Sequence, residues 1–106
     1  MNDGALTALG FARKAGKLSC GFCAVVEAIK KKKSKLVIIA CDISQKSEKE
    51  IRFAAENNVT VVRVSYTIEQ LSAAVGKQAG IFSVNDDRFA QSFLKCIGGN
   101  ANYDKN

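Results

Sequence analysis

A three-layer α/β/α sandwich is the fold class this sequence predicts, and three observations predict it. Strand-like apolar runs alternate with amphipathic helical stretches along almost the whole chain, and the connections between them are short. The most apolar run, Leu36 to Cys41, is β-branched and aliphatic, as expected of a central strand buried on both faces. At 106 residues the chain can bury one core, and its 47% apolar and 25% charged content is ordinary for a globular protein. Residues 1–97 are read as a single domain, and 98–106, opening on Gly98-Gly99-Asn100, as a flexible polar tail. No internal repeat or linker interrupts it.

Taken in order, Leu6, Leu9 and Ala12 recur at helical spacing, and Gly16 supplies a stop. Leu18 to Cys20 is read as a very short strand. A second helix begins at Gly21, carries Val25, Val26, Ala28 and Ile29, and runs into lysines that complement the negative end of its dipole. Lys35 to Cys41 follows as the central strand, and Asp42-Ile-Ser-Gln45 as a loop. Ser47 with Glu50 predicts a capping box opening a third helix, which Asn57-Asn58 ends. Thr60 to Val64 is the next strand. Thr67 with Gln70 is a second capping box, opening a helix that stops at Gly76. Ile81 to Val84 makes a further strand, and Asp86 or Asp87 caps a last helix through Phe89, Phe93 and Leu94.

Several functions are excluded by absent chemistry. With no histidine, imidazole acid/base catalysis and His-ligated metal are ruled out, and no P-loop, G-x-G-x-x-G or H-E-x-x-H is present. An enzyme is therefore not expected, nor a cofactor. No apolar run is long enough to span a bilayer, and the first residues do not read as a signal peptide. The expected compartment is the cytoplasm, where four cysteines stay reduced.

Charge is the strongest functional signal. Eight of the sixteen Lys and Arg residues lie between Arg13 and Lys35, where Glu27 is the only acid, so this stretch carries a net +7. The rest of the chain, with eight bases and nine acids, carries −1. A local cationic patch on a nearly neutral body attracts polyanions, and phosphate backbone is the commonest. Lys14, Lys17, Lys30, Lys31 and Lys33 are candidate phosphate contacts.

Cys20-Gly-Phe-Cys23 competes with that reading. It is a C-x-x-C whose second thiol enters a helix, a position that stabilises thiolate. In the expected fold Cys41 ends the central strand near the same helix start, so Cys20, Cys23 and Cys41 could converge on a metal. A lone C-x-x-C without a second pair is a weak zinc pattern, and buried cysteines also serve as small hydrophobes. Asp42, at a strand's carboxyl end, either fixes a functional loop or caps nearby backbone N–H groups.

The residues also carry a family resemblance. Leu9-Gly-Phe-Ala-Arg-Lys-Ala-Gly-Lys-Leu18, then Gly21, then Lys35-Leu-Val-Ile-Ile-Ala40 with Asp42, resembles the bacterial YlxQ-type branch of the kink-turn-binding ribosomal protein family, typified by L7Ae and L30e. The similarity continues through Asn58-Val-Thr-Val-Val62, Leu71 with Gly76-Lys77, Phe82-Ser-Val84 and Asp86-Asp-Arg-Phe-Ala90. It implies a four-stranded mixed sheet within the α/β/α sandwich, and binding of RNA at sharply kinked helix–internal-loop–helix elements. The start of the second helix, here Gly21, Phe22, Cys23 and Ala24, would enter the kink. The loop Gly76, Lys77, Gln78 and Ala79 would cover flipped-out bases. A helix N-terminus offers free N–H groups to phosphate or base acceptors, and a glycine allows close approach. The implied partner is structured RNA, ribosomal RNA or an mRNA leader, with the ribosome or translation factors beyond it; a monomer is expected.

The chain departs from the family at one point. Good kink-turn binders follow the motif's Gly with a polar run and a Lys, whereas Phe22, Cys23, Ala24 and Glu27 occupy those places here. Phe22 could instead stack on an unpaired base or act as a hydrophobic staple. Two other function classes stay open: a redox or metal module built on the C-x-x-C, and a protein–protein adaptor that keeps the fold without RNA readout.

Overall fold

The structure, a computed structural model, describes residues 4–56 and 58–97, and the backbone of 102–104. Five helices, α1 (Gly4–Lys14), α2 (Phe22–Lys30), α3 (Gln45–Ala55), α4 (Ile68–Val75) and α5 (Asp87–Ile97), alternate with strands β1 (Leu18–Cys20), β2 (Leu36–Ile39), β3 (Val61–Arg63), β4 (Ile81–Val84) and β5 (Asn102–Asp104). The strands form one mixed sheet in the order β1-β4-β2-β3-β5, in which β4 runs antiparallel to β1 and β2 while β2 and β3 are parallel. The four expected strands thus form the sheet in its expected mixed sense.

The period-2 geometry of β2 decides the layering. Leu36, Ile38 and Ala40 face a core shared with Leu9 of α1, Leu71 and Val75 of α4, and Phe93 of α5. Val37 and Ile39 face the other way, onto Val25 and Ile29 of α2 and Ile51 and Ala55 of α3. Three helices therefore cover one face and two cover the other, which is the three-layer sandwich. Every residue of β2 and β4 is buried, so these strands are nearly continuous apolar runs rather than alternating ones; the exception, Ser83, is satisfied by hydrogen bonds to the Ser34 hydroxyl at 2.6 Å and the Asn85 amide oxygen at 2.7 Å.

Two sequence expectations need correction. The third helix is not opened by a Ser47–Glu50 box: Ser44 is its N-cap, and the Ser44 hydroxyl accepts from the Ser47 N–H at 3.1 Å. Both serines suit an N-cap, and starting at Gln45 adds nearly a turn of helix ahead of the buried Ile51 and Ala55. The expected polar tail fails at Asn102–Asp104, which pairs antiparallel with β3 as an edge strand. β3 otherwise presents an unpaired row of backbone groups, and any extended segment can add to such an edge. The rest of the tail, and the Asn57 stop, lie outside the described residues.

The Thr67–Gln70 capping box is present in full. The Thr67 hydroxyl accepts from the Gln70 N–H at 3.1 Å, and the Gln70 amide oxygen accepts from the Thr67 N–H at 2.9 Å. Asp86 caps the start of α5, accepting from the Arg88 N–H at 2.8 Å, and this bond holds its carboxyl below the ordinary carboxylate range. Stability from a depressed carboxyl is present above its unfolded pKa and lost as pH falls through the folded one. Asp86→Ala should therefore flatten the acid limb of stability below about pH 4, read as the unfolding midpoint against pH. Thr67→Ala should lower stability by about 1 kcal/mol, measured as a shift of the denaturant midpoint with unchanged m-value.

Candidate nucleic-acid interface

At one end of the sheet, three segments far apart in sequence meet. The Gly21 N–H donates to the Ile81 carbonyl at 2.8 Å, and the Ala40 N–H donates to the Gly80 carbonyl at 2.9 Å. These two bonds bring the start of α2, the loop after β2 and the Gly76–Gly80 loop to the same place. Gly21 adopts φ 96 and ψ 159, a region that only glycine occupies freely, and a Cβ there would face open space. The glycine is thus required by backbone conformation rather than by crowding.

The Gly76–Ala79 loop is anchored at both ends. Gly76 closes α4 in the left-handed conformation, its N–H donating to the Ser72 carbonyl at 2.7 Å. The Arg13 guanidinium donates to the Val75 carbonyl at 2.9 Å, satisfying a terminal acceptor of the same helix. At the far end, the Ser72 hydroxyl donates to the Ala79 carbonyl and accepts from the Ala79 N–H, both at 3.0 Å. Gly76, Lys77 and Gln78 stay exposed between these anchors, and Ala79 is half-buried.

The same end concentrates positive charge. Arg13 and Lys77 both lie close enough to Cys20 to favour its thiolate, although burial outweighs them and pushes the thiol above its ordinary value. Arg13 was absent from the sequence-derived site. Its place in the last turn of α1 put it in the basic window, but only the packing of α1 on α4 brings it to Gly76. Asp42 does not line the α2 side. Its carboxylate accepts from the Ile68 N–H at 2.8 Å and caps α4 across 26 residues of sequence. Beyond the loop, an open depression of about 720 Å³ is bordered by Asp42 and Glu69 as well as Lys77, so its field is mixed.

The lysine run is divided by helix geometry. Lys31 and Lys33 line a groove of about 290 Å³ between β1 and α2, together with Ser19, Ala24, Glu27 and Ala28. Lys30 instead faces the α3 side of the helix. Glu27 pairs with Lys31 at 2.8 Å, and that contact holds its carboxyl below the ordinary range, so the acid in the groove is neutralised by a neighbour. Lys17 lies at the end of the sheet opposite Gly21: its carbonyl accepts from Asn85, and its ammonium acts on Asp86. Lys14 is exposed at the close of α1. Of the predicted phosphate contacts, Lys31 and Lys33 line this groove, Lys30 lies on the α3 side, and Lys17 sits at the end of β1 opposite Gly21.

The cysteines do not converge. β4 lies between β1 and β2, so Cys20 and the end of β2 are two strand spacings apart, about 10 Å. Cys41 instead donates its S–H to the Ser65 carbonyl at 3.5 Å, on the opposite side of β2. Among the described residues no group of three or more Cys, Asp or Glu side chains is placed to hold a metal, and Cys20, Cys23, Cys41 and Cys96 are free thiols. Sheet order thus keeps Cys41 apart from Cys20 and Cys23, against the convergence expected from the sequence. Cys23 is exposed in the first turn of α2, and Phe22, 37% exposed, borders Lys49, Glu50 and Phe53 of α3 rather than the β1-side groove.

Residues 4–93 match the model of the ribosomal protein L7Ae/L30e/S12e/Gadd45 family. The chain belongs to this family. It is 26% identical over 103 residues to an Enterococcus faecium protein named RNA-binding protein YlxQ, an alignment spanning 93% of this chain and all of that one. A solved structure of a Bacillus halodurans C protein of unknown function superposes with a TM-score of 0.83 at 26% identity, covering 91% of this chain and 98% of the other. No helix among the described residues is long and apolar enough to cross a membrane.

Two outcomes follow. Gly21→Ala should destabilise the protein by about 1–3 kcal/mol, although nothing crowds the added methyl, because φ 96 is retained; thermal or denaturant unfolding measures it. Native Cys20 should be alkylated by iodoacetamide at pH 8 more slowly than the same residue in denaturant, since its raised pKa lowers the thiolate fraction; peptide mass spectrometry of the quenched protein reads this out.

Proposed function

We propose that this chain is an RNA-binding protein that recognises structured RNA at a sharply kinked element. The observation that carries the reading is the juxtaposition of Gly21 at the start of α2 with the anchored Gly76–Ala79 loop, joined through the Gly21–Ile81 bond. A helix start of this kind presents backbone N–H groups and a positive dipole end to phosphate or base acceptors. The exposed Gly76-Lys77-Gln78 stretch offers backbone polar groups and one cation to bases displaced from the stack. From there the β1-side groove leads to Lys31 and Lys33, along which an RNA strand can run with Lys14 and Lys17 alongside.

Membership of a ribosomal-protein family and likeness to a protein named for RNA binding support the same reading. Phe22, Cys23 and Ala24 supply no hydrogen bonds to base edges, so recognition rests on backbone groups and shape, with lysines adding affinity. The work is stoichiometric binding, with no catalytic step and no cofactor. The protein acts as a cytoplasmic monomer on ribosomal RNA or an mRNA leader, alongside the ribosome or translation factors.

The deciding measurement is binding to a labelled kink-turn RNA and to a fully paired duplex of equal length across a salt series. The expected result is a preference for the kink-turn RNA that persists at about 150 mM salt, and that Lys77→Gln weakens. Equal and steeply salt-dependent binding to both RNAs would remove kink recognition. Loss of all binding at that salt would favour a protein–protein adaptor, for which Phe22 and Phe53 are exposed.

A further inference from the structure

One lysine in the run stands where its backbone would favour glycine. α2 ends in a Schellman arrangement, in which the Lys33 N–H donates to the Ala28 carbonyl at 2.9 Å and the Lys32 N–H to the Ile29 carbonyl at 3.0 Å. Lys32 occupies the left-handed position between them, at φ 61. Glycine is the usual residue there because a side chain makes that conformation costly. Complementing the helix dipole does not account for the choice, since Lys30, Lys31 and Lys33 already bring cations to this helix end.

The side chain's location offers a reason. Lys32 lines a cleft of about 590 Å³ between the C-terminal ends of α2 and α3, with Lys30, Lys35 and Ser34 around it and Ile29 and Val59 among its apolar lining. Among the described residues no carboxylate lines this cleft and none of the three lysines takes part in an ion pair, whereas Lys31 on the other side of the helix is paired with Glu27. Three uncompensated cations around one concavity focus a positive potential into it. Ammonium groups suit phosphate oxygens, and apolar lining suits the carbon face of a sugar or base.

We propose that this cleft is a second phosphate-binding site, which holds the sugar–phosphate backbone of the same RNA whose kinked element sits at the start of α2. The inference rests on the RNA-binding reading above. The nine residues of α2 separate the two sites by about 13 Å along its axis, roughly four steps of a double helix. One structured RNA can therefore engage both. The cleft opens on the α3 side of the helix, so it grips a different segment from the one in the β1-side groove.

Lys32→Gly tests this without endangering the fold, because glycine suits the position. The variant should melt at a higher temperature than the wild type, yet bind the kink-turn RNA more weakly. The slope of log affinity against log salt should become shallower by about 0.7–0.9, and by about twice that in Lys32→Gly/Lys35→Gln. The preference for kink-turn RNA over duplex should be unchanged, since the lost contacts are to backbone. An unchanged slope in a wild type and variants that all bind RNA would overturn the second site alone. Absence of RNA binding by the wild type would remove the RNA-binding reading and this inference with it. If millimolar adenosine monophosphate abolished the lysine-dependent part of binding, the cleft would be a free-nucleotide site, and the RNA assignment would fall.

Discussion

The candidate interface depends on two backbone hydrogen bonds to adjacent carbonyls, Gly21 N–H to Ile81 and Ala40 N–H to Gly80. They can form only because β4 lies between β1 and β2 in the sheet. With that order in place, the end of β1, the end of β2 and the loop entering β4 must all emerge at one edge. The first turn of α2 then projects beside the Gly76–Ala79 loop. A parallel arrangement of β4 would send that loop to the opposite end and dismantle the site, whatever residues it contained.

Around this frame, the same groups serve structure and electrostatics together. Arg13 closes the C-terminal end of α4 through Val75 and contributes positive potential beside Cys20. Ser72 is tied to Ala79 by two bonds of 3.0 Å, so the loop between Gly76 and Ala79 is held without a large apolar side chain of its own. Asp42 caps α4 through the Ile68 N–H, which ties its acid to the start of that helix.

The lysine cluster is less uniform than a charge count suggests. A helix places successive residues about 100° apart, so neighbouring lysines near the end of α2 reach opposite sides. Lys31 and Lys33 fall in the β1-side groove, where Glu27 tempers the charge, while Lys30, Lys32 and Lys35 surround a cleft that no acid among the described residues lines. The single +7 segment of sequence becomes two surfaces of different character. On the proposed RNA-binding reading, such a surface would act through fields and backbone geometry more than through side-chain hydrogen bonds to bases, since Phe22, Cys23 and Ala24 stand at the start of α2.

What the sequence determined by itself is what depends on neighbours within a few residues. The β-branched run of β2, the helical spacing of α1 and the Thr67–Gln70 box each express local periodicity or local hydrogen bonding, and each is found where it was legible. Even local signals compete: Ser44 and Ser47 both suited an N-cap, and Ser44 is the one that caps the helix. The family resemblance pointed to Gly21 and Gly76–Ala79 together, and strand order supplies the physical reason these segments are neighbours. Only the tertiary structure decided that Cys20 and Cys41 stay apart, that Arg13 reaches Gly76, that Asn102–Asp104 joins an edge, and that the lysines divide. Those outcomes depend on which strands become neighbours and which helix face meets the sheet, and such non-local pairing leaves no periodic trace in the chain that makes it.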